Sequence, residues 1–201
     1  MLFPLARRGA LVPMMLVMIA LAMAGCAAEH EPIRPPQIAF ASDRPLVLNV
    51  AAVEVRSVFE ASDQPPRIEQ RLPIPPETAL RRWSADRLRA GGRAGSARFT
   101  ITDAAVSREA LQTTPGVRGF FTREQAERYD AAAAAMLEIL DDYGNRLAVV
   151  ETRAERTRTI PESARRDEID RIRFAMIETL MAEFDREMEK AIRQHLIGWL
   201  L

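Results

Sequence analysis

Between Glu162 and Leu200 apolar side chains recur every three or four positions: Ile169, Ile172, Met176, Leu180, Phe184, Met188, Ile192, Leu196 and Trp199. That period is the one an α-helix imposes on a face turned toward a core. Pro161 stands just before the run and suits a helix start. Asp167 with Arg171, and Glu189 with Arg193, are spaced i,i+4 with the acid first, the favourable orientation on an exposed helix face. Unbroken, such a helix is roughly 55 Å long at 1.5 Å per residue. A one-sided helix of that length needs an apolar sheet to lie on, and its end or a break in it projects beyond a sheet of four strands.

The upstream sequence supplies the sheet. Leu46 to Phe59 (LVLNVAAVEVRSVF) reads as the first strand, apolar on both faces at the start and alternating over Val53-Glu54-Val55-Arg56. A passage rich in proline follows (Pro65, Pro66, Pro73, Pro75, Pro76), and Pro76 suits the first turn of a helix because its missing N–H is not needed there. That helix is expected from Glu77 to about Ala90, with Leu80, Trp83, Leu88 and the stem of Arg87 as its buried stripe and Gly91-Gly92 as its stop. Glu77 complements the dipole at one end, and Arg87 and Arg89 at the other. Arg98 to Val106 is the second strand, with Phe99 and Ile101 inward and Thr100 and Thr102 outward; Asp103 interrupts the apolar face and reads as a bulge or an edge position. Thr114-Pro115-Gly116 and Gly119-Phe120-Phe121 then mark a loop.

One stretch carries two conflicting signals. Thr122 and Gln125 have the spacing of a capping box, and Ala131 to Ala135 are the strongest helix formers, so propensity alone makes Arg123 to Leu140 a helix. Against this, Met136 to Leu140 and Leu147 to Thr152 flank a turn at Asp141-Asp142-Tyr143-Gly144-Asn145. The hairpin reading is adopted here, with strands near 128–140 and 146–158 and one helical turn at 123–127 leading in. The expected fold is α+β: a four-stranded, mainly antiparallel sheet with two helices on one face, in the order β-α-β-β-β-α, ending in the long helix.

The N-terminus points to export. Arg7 and Arg8 precede an apolar run from Ala10 to Ala24, broken only by Pro13, that stops at Gly25-Cys26. At roughly 15 residues the run is shorter than the ~20 a membrane-spanning helix needs. Leu21-Ala22-Met23-Ala24-Gly25-Cys26 resembles the lipobox of bacterial lipoproteins, with Met23 where leucine is usual. The resemblance implies cleavage between Gly25 and Cys26 and a diacylglycerol on the Cys26 thiol. An ordinary secretory signal cut after Ala24 is the competing reading. Cys26 is the sole cysteine, so the domain that follows it has no disulfide and no free thiol for redox or metal chemistry. The chain then divides into a signal peptide at 1–25, a proline-rich tether at 26–45 and one domain at 46–201. The tether spans up to ~3 Å per residue, and the domain is long enough to bury a core without disulfides.

Element order behind the lipobox-like segment, the helix start Pro75-Pro76-Glu77-Thr78-Ala79-Leu80 and the lead-in Glu127-Arg128-Tyr129 to the third strand resemble small bacterial envelope lipoproteins. These include the lipopolysaccharide-assembly lipoprotein and the auxiliary lipoproteins of ABC-type lipid transporters. The resemblance implies a non-catalytic accessory subunit on the periplasmic face of a membrane. Ala27, where enteric sorting would use aspartate for inner-membrane retention, implies the outer membrane.

The first 25 residues hold two arginines and no acid, so 26 basic and 28 acidic side chains remain, a balance without the net basic face of a nucleic-acid binder. An enzyme is disfavoured, because no Gly-x-Ser-x-Gly, phosphate-cradling loop, His-Glu-x-x-His or paired cysteine occurs, and no catalytic residue, metal site or cofactor is assigned. His30 lies in the tether and His195 beside the helical stripe, neither with a partner ligand in sequence. What remains is a scaffold docking on an envelope complex, or a carrier or sensor of a lipid or acyl chain held between helix and sheet. The candidate contact residues are Phe120 and Phe121 in the loop, and Trp199 and Leu200 at the apolar end of the last helix.

Overall fold

The computed structural model describes residues 38–40, 44–111 and 125–201. Gly25, Cys26, Phe120 and Phe121 lie outside the described residues. The elements are β1 (Leu46–Leu48), β2 (Ala52–Ser57), α1 (Pro76–Arg87), β3 (Leu88–Ala90), β4 (Ser96–Asp103), β5 (Val106–Ala110), β6 (Gln125–Leu140), β7 (Arg146–Pro161) and α2 (Arg166–His195). Single 3-10 turns stand at Glu69–Arg71 and Ile197–Trp199.

The fold is α+β with two helices, and its sheets differ from the expected four-stranded one. The main sheet has five strands, and a second sheet pairs β1 with β3. β2 runs parallel to β4, whereas β4, β5 and β7 all run antiparallel to β6. β4 and β5 lie end to end along one edge of β6, so the sheet is four strands wide at β4 (β2-β4-β6-β7) and three at β5 (β5-β6-β7). The register slips between Ile101 and Asp103. Asp103 is therefore the bulge its sequence context suggested, and its carboxylate accepts the Ala105 N–H at 3.0 Å and the Arg153 guanidinium at 2.8 Å.

The hairpin displaces the helix that propensity favours over 123–140. β6 and β7 pair along their whole lengths, and residues 125–127, expected as a helical turn, are already strand. Helix preference for alanine is worth at most ~0.7 kcal/mol per residue over ordinary residues. Here all five alanines from Ala131 to Ala135 are buried, on both faces of the sheet. Gly144, at φ 83°, makes the turn, and the Asp141 carboxylate gathers the N–H groups of Tyr143 and Asn145 at 2.9 and 2.8 Å. Those hydrogen bonds, led by that from the Asn145 side chain, hold the Asp141 carboxyl below the usual carboxylate range.

Three elements are shorter than the sequence suggested. The first strand breaks at residues 49–51 into β1 and β2, which join different sheets. α1 stops at Arg87 rather than near Ala90, because Leu88–Ala90 pairs parallel to Leu46–Leu48 and buries Leu88. α2 has 30 residues, which is ~45 Å, not the full run to Leu200. Ile38 and Phe40, which fall in the stretch read as tether, are buried in the core.

Both helices pack on one face of the main sheet. The register sets Phe99 opposite Leu137 and Leu137 opposite Val150, one row of that face. Trp83 of α1, Phe99 of β4 and Phe184 of α2 meet at its centre. Ring centroids lie 5.3 Å apart for Trp83–Phe99 and Trp83–Phe184, the latter edge to face. Leu80, Met176, Leu180, Met181, Met188 and Ile192 fill the seam around them. Side chains of this size gain ~1.5–3 kcal/mol each on full burial. The opposite face is laced with charge: Arg98 reaches Glu54 at 3.4 Å, and Arg153 reaches Asp103 and Glu155 at 2.8 and 2.7 Å.

Candidate functional site

Beyond the charged face of the sheet, three further groupings of charged side chains stand out among the described residues. The first is beneath the helices. Arg87 is only 1% exposed, guanidinium included, although sequence alone suggested a buried stem with a solvated head. It donates to Asp185 Oδ1 at 2.8 Å, to a Glu189 carboxylate oxygen and to the Arg44 carbonyl. Arg193 completes the cluster, donating to Glu189 at 2.7 Å as its i,i+4 spacing implied. Burial raises the Glu189 carboxyl, but the hydrogen bond from Arg193 and the charges of Arg87 and Arg193 outweigh it, and the net shift is downward. Each member is hydrogen-bonded to another, so the cluster joins α1 to α2.

The second place is the far end of the sheet. Arg173 lays its guanidinium over the Tyr129 ring at 5.1 Å and donates to the phenol oxygen at 2.7 Å. Tyr129 in turn donates to Glu127. Burial and the Glu127 hydrogen bond push the phenol up, against the opposing pull of Arg173. Nearby, Glu69 is buried yet ionised: Arg67 donates to it twice, at 3.1 and 2.6 Å, and the Ser62 N–H does so at 2.7 Å. Burial alone would raise the Glu69 carboxyl, and these donors bring it below the usual range.

The third is a groove of about 290 Å³ between β7 and the end of α2, lined by Glu151, Thr152, Arg153, Glu187, Lys190 and His195 among others. It is open and polar, and His195 is exposed at its rim, the boundary position expected for it. Among the described residues no group of three or more His, Cys, Asp or Glu is placed to hold a metal. None of the helices there is long and apolar enough to cross a membrane.

The last residues build a different kind of surface. Trp199 and Leu200, expected to contact a partner, are half-buried against the core. The Asn49 N–H donates to the Trp199 carbonyl at 2.7 Å, the Leu201 N–H to the Val47 carbonyl at 2.9 Å, and Leu200 bridges antiparallel to Leu48. The segment thus pairs with β1 through a single antiparallel bridge, beside the two-stranded sheet. What it leaves in water is Ile197 and Leu201, 71% and 69% exposed. A Cβ placed on Gly91 would lie 2.6 Å from Val47 Cγ1 and 2.8 Å from Leu201 Cδ1, so these two side chains converge over that glycine. Val47 pairs with Arg89, which puts Arg89 on the same face. The sequence shows this segment to be apolar all round. Only the strand pairing decides that Ile197 and Leu201, rather than Trp199 and Leu200, are the more exposed.

No protein-family model matches this sequence, and no curated protein matches it. Among solved structures, the chain is similar to a minor lipoprotein from Acinetobacter baumannii, with 11% identity and a TM-score of 0.42 over 75% of this chain and 96% of that one. It is also similar to rare lipoprotein B from Shewanella oneidensis, with 11% identity and a TM-score of 0.36 over 71% of this chain and 95% of that one.

Proposed function

We propose that this chain is an envelope lipoprotein, anchored through Cys26 to the periplasmic face of the outer membrane. In this reading it is a non-catalytic accessory or scaffold subunit of an envelope assembly or transport complex. Support for the anchor is the signal-like run ending at the chain's sole cysteine. The two similar solved structures are lipoproteins by name; the weight lies on Cys26. The observation that favours a scaffold over a lipid carrier is the filled seam between helices and sheet. Trp83, Phe99, Leu137, Leu180, Phe184 and Met188 have no surface open to a water-sized sphere. No space the width of an acyl chain opens among them, whereas carriers enclose apolar cavities of ~300–1,000 Å³.

The test has two parts. Labelling with a palmitate analogue is expected to mark the wild type and leave Cys26→Ser unmarked; label kept on the serine variant would remove the anchor from the reading. Mass spectrometry of lipids extracted from the purified, folded protein is expected to find no bound lipid beyond the covalent anchor. A stoichiometric acyl lipid would replace the scaffold with the carrier. The folded Phe120→Ser, Phe121→Ser double variant is expected to lose an envelope protein that co-purifies with the wild type.

A further inference from the structure

We infer that the Val47–Ile197–Leu201 surface is a second membrane contact, resting on the bilayer that holds the Cys26 lipid; this rests on the lipoprotein reading. Three observations converge. The surface is apolar and open: Ile197 and Leu201 are exposed, and Val47 meets Leu201 over Gly91. Cations stand close by in the chain: Arg89 shares the Val47 face, Arg44 and Arg93 flank β1 and β3 in sequence, and none of the three makes an ion pair among the described residues. Apolar side chains with guanidinium groups beside them fit a surface of acyl chains beneath anionic headgroups.

The third observation is where the tether joins the fold. From Phe40, whose N–H is held by Asp86 at 3.1 Å, the chain passes Arg44, whose carbonyl is held by Arg87, into β1 itself. Val47 is therefore three residues beyond Arg44. Ile38 is already buried, so eleven residues separate it from Cys26. They reach ~40 Å at full extension, less than the ~45 Å length of α2. The lead thus enters the fold through β1, the strand that carries Val47.

Trp199 makes the contact measurable, because the chain has only two tryptophans and the other, Trp83, is fully buried. The lipidated full-length protein is reconstituted in vesicles of phosphatidylethanolamine and phosphatidylglycerol, with ordinary or brominated acyl chains. Brominated chains are expected to quench the Trp199 component of the emission, and Trp199→Phe to abolish the quenching. Ile197→Asp with Leu201→Asp is expected to relieve it with the melting midpoint unchanged. Equal emission in the two kinds of vesicle, with an acyl mass confirmed on Cys26, overturns the contact and leaves the anchor standing; docking of this surface on a protein would give that result. Absence of the acyl mass overturns the anchor and the inference together.

Discussion

The Trp83 indole donates its Nε1–H to Asp185 Oδ1 at 2.6 Å, the same oxygen that receives Arg87 Nε at 2.8 Å. One carboxylate on α2 thereby ties down two side chains one turn apart on α1, across about a hundred residues of sequence. The Trp83 ring lies tilted against Phe99 and meets Phe184 edge to face, so this polar clasp sits directly beside the aromatic centre of the core.

Trp83→Ala and Phe184→Ala are each expected to cost about 3–5 kcal/mol, the usual range for deleting a buried aromatic. Trp83→Phe keeps most of the packing and removes one donor from Asp185, so it falls well short of that loss. Thermal melts of the three variants check the order; an unchanged midpoint for either alanine variant would mean that the helix faces are wrongly placed.

Arg87→Leu leaves Asp185 and Glu189 facing each other without their shared cation. Both carboxylates keep some contact with water, so the expected loss is about 3 kcal/mol, the low end for breaking a buried ion pair. Adding Asp185→Asn to Arg87→Leu should recover part of it. Urea unfolding of the single and double variants measures the coupling, and strict additivity would deny it.

Stability should fall in acid, and Glu69 should account for part of the fall. Its folded carboxyl is depressed because, although burial raises it, the donors Arg67 and Ser62 more than compensate. A depressed acid contributes stability in full above its unfolded pKa and loses it as pH drops through the folded one. Glu69→Gln is therefore less stable than wild type at pH 7, and the two should converge as pH falls below the carboxylate range. Denaturant midpoints across that window test this; a gap that stays constant with pH would rule it out.

Gly95 is a position where only glycine fits. Its φ is 67°, and a Cβ there would stand 2.4 Å from the Leu140 carbonyl oxygen. Gly95→Ala is expected to lose about 1–3 kcal/mol, read by calorimetry, from strained backbone at the start of β4. Gly144→Ala, with φ also positive but nothing within 4 Å of the added methyl, should lose less.

Local pattern made much of this fold legible. The apolar period of α2, the inward side of β4 at Phe99 and Ile101, the Asp103 bulge and the turn around Gly144 are all set by neighbours a few residues apart; α2 covers 166–195 of the 162–200 run, and Thr100, expected outward, is buried. The alanine run was ambiguous for the same reason: propensity is local, and β6 is decided by the strands on both its edges.

What the tertiary structure alone decided depends on distant partners. The sequence determined that Leu46–Leu48 would be strand and that the segment after Leu196 would be apolar. Only the fold joined the first to Leu88–Ala90 and Leu200, ended α1 at Arg87 and turned Ile197 and Leu201 outward. The guanidinium of Arg87 is buried because Asp185 and Glu189 reach it from a helix 98 and 102 residues away. A charge enters a protein interior when its counter-charges are already placed there, and that placement is a property of packed helices, which no local stretch of sequence contains.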